Sequence, residues 1–234
     1  SMGGGGAERS ILSTVRAWPK TVRPILMVGS PTGPYMKDVP KTVEILVVGS
    51  SRYRDLASFI RTLGSAVAEY HLGIIVAFDR RSRILLLARL LGLVDVGVVV
   101  VEHSTLSRTL ARRFPNRAVR AAVRSLTRFL YRRADAIVGV SEGVARDLEA
   151  TLHLLPGSVT TIYNPLDVDA IQTAVDTPVP HHLRETFEQL PRPITITTGR
   201  LVPEKGHRDL IDAFADLPKQ QRGSLVILGD GIAG

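Results

Sequence analysis

The apolar run "VGVVVV" (Val96 to Val101) constrains the fold more than any other part of this chain. It is far shorter than the roughly 18 to 20 apolar residues needed to cross a bilayer. Its β-branched side chains favour a strand. Because every position is apolar, neither face suits water, which places the strand in a parallel sheet covered by helices on both sides. Similar short runs recur: "ILMVG" (Ile25 to Gly29), "EILVV" (Glu44 to Val48), "GIIVAF" (Gly73 to Phe78), "AIVGV" (Ala136 to Val140) and "VTTIY" (Val159 to Tyr163). Between them lie "RDLASFIRTLGSAVAEY", "SRILLLARLLGL" and "EGVARDLEATLHL", with apolar residues spaced by three and four as in amphipathic helices. Strand, helix, strand in repetition implies right-handed βαβ units and a Rossmann-like α/β domain.

The pattern breaks after "YNPLD". Residues 168–193 hold "DTPVPHH" and "QLPRP", and four prolines interrupt regular structure. This stretch reads as an interdomain linker with one short helix around Leu183 to Gln189. Strand-helix-strand then resumes with "ITITT", "HRDLIDAFADL" and "SLVILGDG". The expected organisation is an N-terminal domain over 1–167, a linker over 168–193 and the start of a second domain over 194–234. One strand-helix-strand unit is less than a doubly wound domain, so the second domain is expected to be truncated. At the other end a glycine loop opens directly into a helix with no strand before it. The first domain is therefore expected to be nearly complete but to lack its first strand.

Composition removes several function classes. Without cysteine there are no disulfides and no thiolate metal sites. Hydrophobic residues make up 44% of the 234, which suits a folded chain. No signal peptide is visible, so a cytoplasmic protein is expected. The formal charge of +8 is concentrated in one place: His103 to Ala134 carries nine arginines and no acid, and the rest is nearly balanced. That argues for one basic surface rather than a nucleic-acid coat, and aromatic residues are too sparse there for a single-strand binder. Arg113, Arg117, Arg120, Arg124 and Arg128 recur at spacings of three and four, so they are expected to share one helix face. Val119, Ala122, Val123, Leu126 and Leu130 would form the opposite stripe. Such a helix is either a solvated charged face or an attachment to an anionic membrane.

Four places carry candidate chemistry. The glycines ending in Gly5 and Gly6 run into a helix whose free N–H groups suit phosphate, although four terminal glycines also suit a flexible tag. Their spacing is not a dinucleotide fingerprint. His103 ends the most apolar strand, where open α/β sheets bind ligands, and it can exchange a proton with a hydroxyl near neutral pH. A loop histidine satisfied by backbone is the plainer reading. Ser141 and Asn164 also follow strands; they serve as an N-cap and a turn residue or contact the cleft. In "TTGRLVPEKG", Arg200 and Lys205 flank a turn between glycines 199 and 206. It is a solvated loop or half of a diphosphate clamp, with a planar fork and a point charge beside a helix N-terminus. The P-loop order is absent, because Lys205 precedes glycine and no magnesium-binding hydroxyl follows.

"TTGRLVPEKGHRDLIDAF" followed by "LVILGDG" closely resembles the donor-domain signature of family 4 GT-B glycosyltransferases, the "group 1" family. "ADAIVGVSEGVARDL", "VTTIYNPLD", "GGGGAER" and "VVEHS" are similar to other parts of that family, in the same order along nearly the whole chain. The resemblance implies two Rossmann-like domains with the active site between them. It implies retaining transfer of a sugar from a nucleotide sugar, a UDP- or GDP-sugar, to a glycan or lipid-linked acceptor, with no metal required. By position, Arg200 and Lys205 would hold the donor diphosphate and Gly5 and Gly6 would approach it from the other domain. His103 would lie against the sugar or the acceptor. The family's glutamate pair lies further along than Gly234, so residues 1–234 by themselves are expected to be inactive or nearly so. Localisation is expected to be cytoplasmic, peripheral at the inner face of the membrane. The other readings are a non-catalytic sugar-nucleotide-binding or membrane-associating scaffold, and an epimerase or phosphorylase on the same fold.

Overall fold

A computed structural model describes residues 2–3, 5–49, 56–78 and 81–231, with only the backbone of Glu204. The chain divides into two compact units, Ser1–Asp167 and Val168–Gly234. In the first, α1 (Gly6–Arg16) leads into the parallel pair β1 (Ile25–Val28) and β2 (Glu44–Val47). Then come α2 (Leu56–Glu69), β3 (Ile74–Phe78), α3 (Arg81–Leu90), β4 (Gly97–Glu102), α4 (Leu106–Arg113), α5 (Arg117–Tyr131), β5 (Ala136–Gly139), α6 (Glu142–Leu152) and the two-residue β6 (Thr160–Thr161). Strands β3 to β6 form one parallel sheet in sequential order. Of the helix expected from "RDLASF" onward, Arg54 and Asp55 lie outside the described residues, as does Gly4 of the glycine loop.

The valine-rich β4 is the middle of the main core. Val98 and Val100 are fully buried, and Leu86, Leu130, Tyr131, Leu148 and Leu152 close over them. A smaller core gathers Met2, Leu12, Leu26, Val28 and Val43 around α1. Gly139 lets α6 come down on the sheet: a β-carbon there would sit 2.8 Å from the Ala145 nitrogen and 3.0 Å from its Cα. Both are backbone atoms and cannot swing aside. Gly139→Ala is expected to destabilise the fold by about 1–3 kcal/mol, the usual range for overpacking. Denaturant unfolding monitored by circular dichroism would check this through a lower midpoint at unchanged slope.

The basic segment differs from its sequence reading. Two helices replace one, because Pro115 interrupts the chain and Asn116 caps α5 by accepting from the Ala118 and Val119 nitrogens at 2.9 and 3.2 Å. Arg113 therefore ends α4 and does not share the α5 face. Arg120 is half-buried and donates to the Phe114 carbonyl at 3.3 Å. The predicted apolar stripe also splits. Val123 and Leu130 face inward with Thr127 and Tyr131, whereas Val119, Leu126 and Phe129 stay exposed at 46, 52 and 46%. Thr127 can be buried because its hydroxyl donates to the Val123 carbonyl at 2.8 Å and accepts from Arg83 at 3.1 Å.

The second unit holds α7 (Val168–Asp176), α8 (His181–Glu188), β7 (Ile194–Thr198), α9 (His207–Ala215) and β8 (Ser224–Leu228), with β7 and β8 parallel. The segment read as a linker with one helix thus carries two. Its prolines, Pro178, Pro180, Pro191 and Pro193, fall outside the helical spans and punctuate them rather than abolish them.

Candidate functional site

In the first unit the parallel register brings the carboxyl ends of β3, β4 and β5 to one edge. Phe78 pairs with Val101, and Glu102 with Gly139. His103 follows β4 at this edge, partly exposed, with its ring 5.7 Å from that of Phe78. Ser141 follows β5, and its hydroxyl accepts from the Val144 nitrogen at 3.2 Å, so it caps α6. Asn164 follows β6 and accepts from the Ser10 hydroxyl at 2.9 Å, which ties the start of α1 to this end of the sheet. Ser10 is buried, so this bond is a fixed part of the fold. His103, Ser141 and Asn164 thus follow neighbouring strand ends, but Ser141 and Asn164 already have structural work.

Gly5 is the N-cap of α1 and Gly6 its first residue. A β-carbon on Gly6 would meet nothing within 4 Å, whereas one on Gly5 would lie 2.6 Å from Glu8 Oε2. The Glu8 carboxylate folds back over the helix N-terminus and takes the place that a phosphate would use. The spacing from Gly5 to Glu8 is that of an N-cap and its third helical residue, the position from which Glu reaches back in a capping box. This signal was legible in the sequence and competes with the phosphate reading. A ligand phosphate would have to displace that carboxylate.

In the second unit β7 ends at Thr198, and Gly199 donates to the Leu228 carbonyl at 2.9 Å. A single 3-10 turn over Pro203–Lys205 then delivers the chain to α9 through Gly206, whose φ of 64° favours glycine. Gly199 lies beneath the Lys205 stem: a β-carbon there would touch Lys205 Cδ, Cε and Cγ at 3.5–3.6 Å. Both Arg200 and Lys205 are exposed. His207 Nε2 lies 3.0 Å from the Arg200 carbonyl oxygen, which can only accept, so this nitrogen carries the proton. That bond pins the turn bearing Arg200. Sequence reading gave His207 no role; its place just after the glycine was the available clue. Among the described residues no group of three or more His, Asp or Glu side chains is placed to hold a metal ion.

Parallel strands alternating with helices, with loops at the strands' carboxyl ends, define a Rossmann-like α/β protein. Residues 4–170 match the family described as Glycosyltransferase Family 4. The chain belongs to that family, whose members have the GT-B fold. No curated protein matches the chain.

Proposed function

We infer that this protein is a retaining glycosyltransferase that moves a sugar from a UDP- or GDP-sugar to a glycan or lipid-linked acceptor of a cell-envelope pathway, at the cytoplasmic face of a membrane. The observation that carries this reading is the turn after β7, where the Lys205 stem lies across Gly199 and His207 holds the Arg200 carbonyl. Arg200 would take two oxygens of the donor diphosphate and Lys205 would add a point charge. Both would act most strongly as negative charge develops on the departing nucleotide. The free N–H groups at the start of α9 lie beside them. His103 would orient the sugar or the acceptor hydroxyl at the edge of the sheet. Gly5 and Gly6 would contribute only once Glu8 has turned away.

A screen of UDP- and GDP-sugars against the intact enzyme tests this reading, with nucleotide release and the anomeric configuration of the product as readouts. Nucleotide release with a retained configuration is the expected result. Donor binding without turnover on any acceptor would favour a scaffold, and an epimerised or phosphorolysed sugar would favour the other enzyme classes.

Membrane attachment belongs to the same reading, on a corrected face. Arg117 and Arg124 of α5, the half-buried Arg128 and the exposed Arg132 just after the helix lie along one side, and Val119, Ala122, Leu126 and Phe129 line the other. The Arg133 guanidinium stacks 3.7 Å from the Phe129 ring centroid. A cationic stripe beside an apolar one is the arrangement of helices that lie in an anionic lipid interface. No helix among the described residues is long and apolar enough to cross a membrane.

A further inference from the structure

Where α5 ends, its cationic and apolar stripes meet over a cavity of about 680 Å³ lined by Ser125, Arg128, Phe129, Arg132 and Arg133. The first four are spaced by three and four, so they share one face over successive turns. Arg128 and Arg132 belong to the cationic side, Phe129 belongs to the apolar side, and Ser125 stands between them. Arg133 lies across from Arg128 and Arg132. Its guanidinium is 3.7 Å from the Phe129 ring centroid and donates to the Phe129 carbonyl at 2.7 Å. Ring and carbonyl are uncharged, so these contacts fix the group without neutralising it. Among the described residues none of the three arginines forms an ion pair. His103 to Ala134 contains no acid, and Asp135, the next acid along the chain, is committed elsewhere. It pairs with Arg89 and accepts from the Val98 nitrogen at 2.7 Å. The Arg89 hydrogen bond, helped by that of Val98, holds its carboxyl below the usual range, so it stays ionised on those partners. The Asp135 nitrogen donates to the Val98 carbonyl near the start of β4, so α5 ends at the amino-terminal edge of the sheet. The cavity is therefore at the opposite edge from His103, Ser141 and Asn164.

We propose that this cavity seats the phosphate of an anionic lipid headgroup, with Arg128 and Arg132 on the phosphate oxygens, the Ser125 hydroxyl donating beside them and the acyl chains leaving over Phe129 and Leu126. The planar forks of arginine match phosphate geometry better than a point charge does. A helix C-terminus alone repels an anion with about half an elementary charge. Three guanidinium groups outweigh that here, and Arg133 covers one of the terminal carbonyls. The choice of a lipid over a free phosphate follows from the seam. Phe129 and Leu126 are exposed at 46 and 52% directly alongside the cationic side, which suits a ligand that is anionic at one end and apolar at the other. The seat rests on the membrane reading of α5 given above and sharpens it: attachment engages one phosphate at one place, in addition to diffuse charge.

The test uses the intact enzyme carrying Arg200→Ala and Lys205→Ala, so that phosphate cannot bind at the turn after β7. Calorimetric titrations use dihexanoyl phosphatidate below its micelle concentration and glycerol 3-phosphate, with dihexanoyl phosphatidylcholine as the zwitterionic control. Phosphatidate is expected to bind, glycerol 3-phosphate more weakly because it has no chains to cover Phe129, and phosphatidylcholine not measurably. Adding Arg128→Gln and Arg132→Gln is expected to weaken phosphatidate binding by about tenfold or more, because two charge-assisted contacts are lost. Arg117→Gln with Arg124→Gln removes the same charge from the same stripe outside the cavity. A loss of about threefold or less is expected there, because exposed charges that do not touch the ligand are screened. Arg128→Lys with Arg132→Lys keeps the charge and loses the forks, so it should fall between. Unfolding midpoints are expected to be little changed, and the lysine pair carries the comparison if the Arg128 and Arg132 glutamine pair does not fold. Equal losses in the two glutamine pairs, or no phosphatidate binding before they are introduced, overturns the seat. Glycerol 3-phosphate binding as tightly as phosphatidate overturns the lipid assignment in favour of a soluble phosphate ester. Vesicle flotation of the same variants separates the seat from the membrane reading. Flotation that persists with equal losses in both glutamine pairs leaves attachment by diffuse charge and removes the seat. Phosphatidate binding that depends on Arg128 and Arg132, without flotation, keeps the seat and removes membrane attachment.

Discussion

Replacing Arg200 and Lys205 together by alanine is expected to lower sugar transfer by about a hundredfold or more, with the unfolding midpoint little changed. Both side chains are exposed, so neither supports a core. What their removal deletes is charge aimed at the departing diphosphate, and a single donor of that kind contributes on the order of a hundred- to a thousandfold in rate. The effect should fall mainly on kcat, because the charge on the nucleotide grows as the glycosidic bond breaks. Arg200→Lys separates charge from shape: it keeps the cation and loses the fork, so an intermediate loss is expected. Steady-state kinetics on the intact enzyme, followed by nucleotide release, would check both variants. Wild-type rates in the double variant would remove the diphosphate assignment and return the turn to a solvated loop.

The reasons this turn was legible in the sequence explain what was not. Gly199, Arg200, Lys205 and Gly206 act through local geometry over eight residues, and local spacing is visible in a string of letters. The strands were legible for a similar reason, since β-branched runs such as Val98 to Val101 leave little alternative to a buried parallel strand. The inward face of α5 was not. Period alone grouped Val119 and Leu126 with Leu130, but Thr127 is buried instead, because Arg83 from α3 and the Val123 carbonyl satisfy its hydroxyl. That choice depends on a partner 44 residues away. Glu102 is the same case, a carboxylate accepted into a buried position by Tyr131 from another element. The break between α4 and α5 at Pro115 was legible and was overridden by the regularity of the arginine spacing. A proline followed by asparagine is a stop and a new N-cap.

The redrawn α5 face changes which residues membrane attachment depends on. Leu126→Asn with Phe129→Asn is expected to reduce co-flotation with vesicles that are roughly a third phosphatidylglycerol by about tenfold or more. Half-exposed side chains of this size have about 1 kcal/mol each still to gain on entering lipid, and 1.4 kcal/mol is tenfold. Replacing Arg117, Arg124, Arg128 and Arg132 by glutamine should have a larger effect, because each basic group near an anionic surface contributes about 1 kcal/mol. The two sets separate by salt. Arginine-driven binding weakens as the screening length falls from about 10 Å at 0.1 M to about 3 Å at 1 M, whereas the apolar part persists. Arg108→Gln is the internal control: it belongs to α4, so its loss should leave flotation unchanged. Flotation indifferent to both sets of changes would remove the membrane from the proposed function. If the wild type instead forms a dimer that the Leu126 and Phe129 changes dissociate, and no variant binds vesicles, the apolar stripe belongs to a second copy of the chain. Light scattering on the same samples distinguishes the two.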